Sequence, residues 1–134
     1  KYITIILDKN HPKIFGLDRV NIRQTTMVVE GPFDSLFLNN CLAVAQSDLR
    51  IPELKKTTVL VPDNEPRNKE VCKQIEKFIS EDYSVCIWPK GIKEKDINEM
   101  ILSGITSAEI MGIIHSNTHK GLQAQTVFNS WKRT

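Results

Sequence analysis

The sequence predicts an α/β fold: a central parallel sheet of Rossmann-like type with helices on both faces, followed by a short helical segment at the carboxyl end. Two observations carry that expectation. Three short β-favouring apolar runs, TTMVV, TTVLV and SVCIW, alternate with stretches of helical periodicity, the pattern of strands buried on both faces and joined by crossover helices. Each run is also followed closely by acidic residues: Glu30 and Asp34, then Asp63 and Glu65, then Asp96. Carboxylates gathered at the carboxyl edge of a parallel sheet form a site for hard divalent cations, and such a site implies phosphate chemistry.

Taken in order, Tyr2 to Leu7 reads as a strand and Ile14 to Val20 as a short ordered stretch. TTMVVE follows as the first buried strand and is ended by Gly31-Pro32. Pro32 suits a first helical position because its missing N–H costs nothing there, and Phe33, Leu36, Phe37 and Leu42 recur at helical spacing behind it. A short strand is expected within Leu42 to Ala45. TTVLVP is the second buried strand. PRNKEVCKQIEKFISED predicts a helix with Val71, Ile75, Phe78 and Ile79 on one face, and SVCIWP the third strand. DINEMILSG and TSAEIMGIIHSN predict two short helices separated by Gly104, and GLQAQTVFNSWKRT a last helix presenting Leu122, Val127 and Trp131.

Composition narrows the function classes. The chain has 134 residues and 40% apolar content, enough for one domain with a real core. With 18 basic against 16 acidic residues, no overall field points to nucleic acid or to an anionic membrane. Cys41, Cys72 and Cys86 are odd in number and widely spaced, without zinc-ligand pairs, which predicts a reducing, cytoplasmic location. No apolar run approaches the ~18 to 20 residues that span a bilayer, and no signal-peptide pattern opens the chain, so a soluble protein is expected. His11, His115 and His119 have no triad or zinc spacing, and neither GxxxxGK[ST] nor GxGxxG occurs. The chain opens on Lys1 in the middle of a strand-like pattern, as an excised piece would.

Each acidic cluster also has a plain structural reading. Asp34 in a first helical turn complements the helix N-terminus, worth ~0.3 to 1 kcal/mol. Asp63-Asn64-Glu65-Pro66 is good turn and helix-entry chemistry. Asp96, three residues before Glu99, has the spacing of a helix cap. Glu30 is harder to dismiss, since a carboxylate directly after four β-favouring residues is desolvated unless a cation or donor meets it. The conjunction of all three at one sheet edge favours the metal reading. Arg67 and Lys95, with Asn98, are candidates to hold phosphate oxygens or nucleotide, and Lys90 and Lys93 are weaker ones.

Assembled, these clusters resemble a Toprim domain, the catalytic module of primases, topoisomerases and some nucleases, with VVEGPFDSLF as its glutamate motif and Asp63-Asn64-Glu65 in place of its DxD pair. More narrowly YITI, IFGLDRV, VVEGPFDSLFLNN, VPDNEPR, KDINEMI and GLQAQ resemble, in that order, the carboxyl-terminal half of the RNA primases of T-even-like bacteriophages. The resemblance implies that residues 1–24 end an upstream primase subdomain, 25–105 form the Toprim core and 106–134 a helical carboxyl-terminal segment. It implies that Glu30, Asp34, Asp63, Glu65 and Asp96 hold two Mg2+ ions, with Mn2+ as substitute, and that Glu30, Asp63 and Glu65 are catalytic. The implied activity is nucleotidyl transfer, the synthesis of short RNA primers from ribonucleoside triphosphates on a single-stranded DNA template. A replicative helicase is the implied partner, the host cytoplasm the implied location, and the piece alone would have little activity. Glu65 departs from the usual second aspartate, and Asn98 stands where many relatives carry an acid. A Toprim nuclease, or a non-catalytic module docking a partner through the tail around Trp131, are the alternatives.

Overall fold

The computed structural model describes residues 14–134. The strand expected over Tyr2 to Leu7, and His11, lie outside the described residues. Eleven elements follow one another: β1 (Thr26–Val29), α1 (Pro32–Ser35), β2 (Cys41–Ala43), a 3-10 turn (Pro52–Thr57), β3 (Thr58–Leu60), α2 (Lys69–Ser80), β4 (Ser84–Cys86), α3 (Ile97–Leu102), α4 (Ser107–Ser116), β5 (Thr118–His119) and α5 (Gly121–Trp131). They build a five-stranded sheet in the order β2-β1-β3-β4-β5. The first four strands are parallel and β5 runs antiparallel to β4. The expected fold class is therefore observed, and the arrangement is consistent with a Toprim-like sheet.

Period-two alternation along β1 divides the core into two layers. Val28 faces one side with Leu42, Leu60 and Val85, where α2 lays Val71, Ile75, Phe78 and Ile79 and α5 lays Ala124, Phe128 and Trp131. Met27 and Val29 face the other side with Cys41, Ala43 and Cys86, covered by Ile97 and Met100 of α3 and Ile110 and Ile114 of α4. The three cysteines are buried and unpaired, as their apolar neighbours predict. Trp88 is buried too, and its indole N–H donates to the carbonyl of Pro62 at 2.8 Å. Among the described residues no helix is long and apolar enough to cross a membrane.

Two expectations need correction. The helix expected behind Phe33 lasts only one turn, whereas the short strand expected over Leu42 to Ala45 is found as β2, Cys41–Ala43. Asn40 ends the run: it takes the left-handed conformation, with φ of 53°, and its side-chain amide donates to the carbonyl of Thr25 at 2.8 Å while its oxygen accepts from the Asn21 N–H at 2.7 Å. Local hydrogen bonding at Asn40 thus outweighs the helical spacing, and Phe33 and Leu36 are left exposed at 76% and 62%. The face of α5 is the expected one in part: Trp131 lies in the core and Val127 packs against it, but Leu122 is 84% exposed and Ala124 and Phe128 complete the buried face. The short ordered stretch expected over Ile14 to Val20 makes a single antiparallel bridge between Phe15 and Ala43.

α2 starts at its best capping residue rather than at Pro66. The Asn68 side chain accepts from the N–H groups of Glu70 and Val71, satisfying two donors that the first turn leaves free. That late start leaves residues 61–67 as an irregular connection, which carries Asp63 and Glu65 out over the sheet edge.

Candidate metal centre at the carboxyl edge of the sheet

Glu30 and Asp63 occupy equivalent places. β1 and β3 are neighbours and parallel, with Val28 opposite Leu60, so the chain leaving each strand emerges on the same edge. Glu30 follows β1 directly, and Asp63 stands three residues beyond the end of β3. The loop after β4 brings Lys95 and Asp96 to the same edge: the Asn64 N–H donates to the Lys95 carbonyl at 2.6 Å.

Carboxylates brought to one edge raise one another's pKa. Burial pushes the Asp63 carboxyl up to about 7, and the negative charges of Glu30, Asp34, Asp96 and Glu65 all add to the rise. Burial likewise pushes Asp34 up to about 6, with Asp96 and Glu30 raising it further, while an N–H donated by Asn98 and the charge of Lys95 pull it down. Glu30 is raised by burial and then by Glu65, with Lys95 opposing. Asp63 thus feels the other four acids expected at the site, and the charge of Lys95 reaches Glu30 and Asp34. Arg67 is exposed, and no described contact ties it to the carboxylates.

The plain structural readings hold for some of these groups as well. Asp96 caps α3, its Oδ1 accepting from the Glu99 N–H at 2.8 Å; Glu99 returns a bond to the N–H of Lys95, one residue before the cap. Asp34 does not cap its own short helix. Its Oδ1 accepts from the backbone N–H of Asn98 at 2.8 Å, which fastens α1 to the first turn of α3. Asn98 thus meets the acidic cluster through its main chain.

Sequence reasoning missed how Asn64 is used. Its amide donates to the carbonyls of Ile92 at 2.9 Å and Glu94 at 3.1 Å, and its Oδ1 accepts the Trp131 indole N–H at 3.1 Å. Pro62 and Pro66 on either side are held by Trp88 and by the Arg133 N–H. The signal lay in Trp131, since a buried indole needs an acceptor. No pattern in the sequence told which acceptor it meets, across 67 positions.

The donor set suits a hard divalent ion. Every candidate ligand is a carboxylate oxygen, and the mutual repulsion is what a cation would relieve. The cluster is open, however: among the described residues no group of three or more His, Cys, Asp or Glu side chains is placed to hold an ion as it stands.

Over 129 residues the chain is 39% identical to the DNA primase of Enterobacteria phage T4. This chain is similar to a phage DNA primase. The match takes in 93% of the chain but 37% of the primase, so the chain spans little more than a third of that relative's length. No family model matches. The resemblance to phage primases read from the motifs is thus upheld.

Proposed function

We propose that this chain is the catalytic part of a phage-type DNA primase, joining ribonucleotides into short primers on single-stranded DNA. The observation that supports the reading is the carboxylate cluster beyond β1 and β3, in which Asp63 is raised to about 7 by burial and by four neighbouring acids. Uncompensated charge of that density costs stability, and a fold retains it where a cationic ligand is part of its function.

In this reading Glu30, Asp34, Asp63, Glu65 and Asp96 hold two divalent cations, Mg2+ by preference and Mn2+ as substitute. When bound, these supply activation of the primer 3′-hydroxyl and neutralisation of charge on the departing pyrophosphate. Asp63 and Glu65 would hold those cations at the sheet edge, where the reacting phosphate binds. Glu30 either shares in that holding or accepts the proton of the 3′-hydroxyl as general base, a role favoured by its raised basicity. Lys95 orients phosphate oxygens, with Arg67 and the amide of Asn98 as further contacts. Desolvation by the apolar strand ends strengthens these interactions. Single-stranded template and ribonucleoside triphosphates are the substrates, and a replicative helicase is the working partner.

Calorimetric titration with Mn2+ tests the centre. Saturable binding by the wild-type chain, abolished in Asp63→Asn/Glu65→Gln, is expected; no binding, or equal binding by both, overturns it. Incubating the primase polypeptide that carries this chain with Mg2+, template and ribonucleotides tests the reaction, and template cutting without oligoribonucleotide synthesis would replace the primase by a nuclease.

A further inference from the structure

Beside the acidic centre, on the far side of Asn64, lies a cavity of about 340 Å³ lined by Asn64, Pro66, Pro89, Ile92 and Trp131 and rimmed by Lys90, Lys93 and Arg133. Its size falls in the ~300 to 1,000 Å³ range of small-ligand sites. Three cations converge on it, and among the described residues none has a carboxylate partner: the ion pairs join Arg50 to Asp48 and Glu81, Lys120 to Asp82, and Lys132 to Glu76. Arg133 donates one Nη to the carbonyls of Ser130, Trp131 and Lys132, which holds the guanidinium over the end of α5. A second cavity, about 270 Å³, adjoins the first through Pro89, Lys90 and Trp131 and continues between Ile87 and Val127.

We infer that this double cavity binds a short run of single-stranded nucleic acid, with Lys90, Lys93 and Arg133 on its phosphates and its bases on the apolar floor. Three cations with no carboxylate in the lining favour an anionic ligand, unlike the cavity around Arg23, Lys55 and Lys56, whose lining includes Glu53, and the volume exceeds what a lone phosphate needs. Apolar walls of Pro66, Pro89 and Ile92 offer van der Waals contact to flat bases, and the two adjoining chambers leave room for consecutive nucleotides. Asn64 forms the wall shared with the acidic centre, so a strand lying here is delivered beside Asp63 and Glu65. The choice of nucleic acid over other polyanions rests on the primase reading.

The test is fluorescence anisotropy of a labelled oligothymidylate of about a dozen nucleotides, titrated with the chain in EDTA at low salt. Working without metal separates this site from the acidic centre: Mn2+ binding without oligonucleotide binding sinks only the present inference, and the converse sinks only the metal centre. Lys90→Ala/Lys93→Ala/Arg133→Ala is expected to weaken binding at least ~10-fold and to lower the slope of log affinity against log salt by ~2. Arg23→Ala/Lys55→Ala/Lys56→Ala removes the same charge from a different cavity and is expected to stay close to wild type. Equal losses in the two triple variants, no binding by wild type, or ATP competing as tightly per molecule as the oligonucleotide would each overturn the assignment. Lys93→Glu alone, at an exposed position, is expected to weaken binding several-fold, and unchanged affinity there would count equally against it.

Discussion

The Trp131 indole N–H donates to the side-chain oxygen of Asn64 at 3.1 Å, joining the last turn of α5 to the loop that carries Asp63 and Glu65. Because the Asn64 amide also holds the carbonyls of Ile92 and Glu94, one side chain ties three segments distant in sequence. The positions of two carboxylates therefore depend on a helix that contributes no carboxylate itself.

Asn64→Ala strands two carbonyls and an indole N–H, and a part-buried polar group left without its partner costs about 1 to 3 kcal/mol. Urea denaturation is expected to register a loss in that range, with a smaller loss of about 1 kcal/mol for Trp131→Phe, which keeps much of the packing. Both variants are expected to bind Mn2+ more weakly than wild type. Unaltered Mn2+ affinity alongside reduced stability would mean that the Asn64 contacts serve folding alone.

Asp63 gives a pH dependence whose sign is set by its raised value. Its ordinary pKa is 3.8 and the folded chain holds it at about 7, so folding favours the protonated form. Metal-free stability is thus greatest, as far as this group is concerned, below 3.8 and falls as pH rises through about 7. Asp63→Asn is expected to melt above wild type at pH 8 in EDTA, with the gap closing toward pH 4. Mn2+ should stabilise wild type and not the variant. A variant melting below wild type at pH 8 would contradict the uncompensated-charge argument.

Asp34 separates fastening from ligation. Asp34→Asn keeps an oxygen that accepts from the Asn98 N–H and removes a charge that the fold holds at a raised pKa, so thermal stability at pH 8 is expected to be unchanged or higher. Asp34→Ala loses the acceptor and is expected to melt lower, by the equivalent of about 1 kcal/mol or more. Both should weaken Mn2+ binding, and a difference between them in metal affinity as large as their difference in stability would argue against a ligand role.

Away from the site, Asp48 shows the opposite sign. The hydrogen bond from Arg50, whose Nη2 lies 2.8 Å from Asp48 Oδ2, is the main reason its carboxyl is held below the usual range. Its contribution is fully present above the unfolded pKa and is lost as pH falls through the depressed folded value. Asp48→Asn is expected to cost at most about 1 kcal/mol at pH 7, since the pair is partly exposed, and nothing at the acid end of the pH range. Chemical denaturation at the two pH values measures it; a constant cost would mean packing rather than charge.

Hydrophobic patterning carried much of the fold. The apolar runs ending at Val29, Val61 and Trp88 read as strands because burial on both faces leaves no polar alternation, and the face of α2 read correctly because Val71, Ile75 and Phe78 repeat at helical spacing. The stretch from Phe33 to Leu42 misled because its helical spacing competes with a local turn at Asn40, and spacing alone carries no weight for that competition.

What the sequence by itself determined was the α/β class, the carboxylates at the strand ends and the likeness to phage primases, for these rest on residue types and on neighbours close along the chain. Only the tertiary structure decided that Asp34 fastens α3, that Asn64 binds Trp131, and that Lys90, Lys93 and Arg133 rim one cavity. Hydrogen bonds and fields act through space over a few ångströms, and residues tens of positions apart come within that range only when packing of the two core layers brings their segments together.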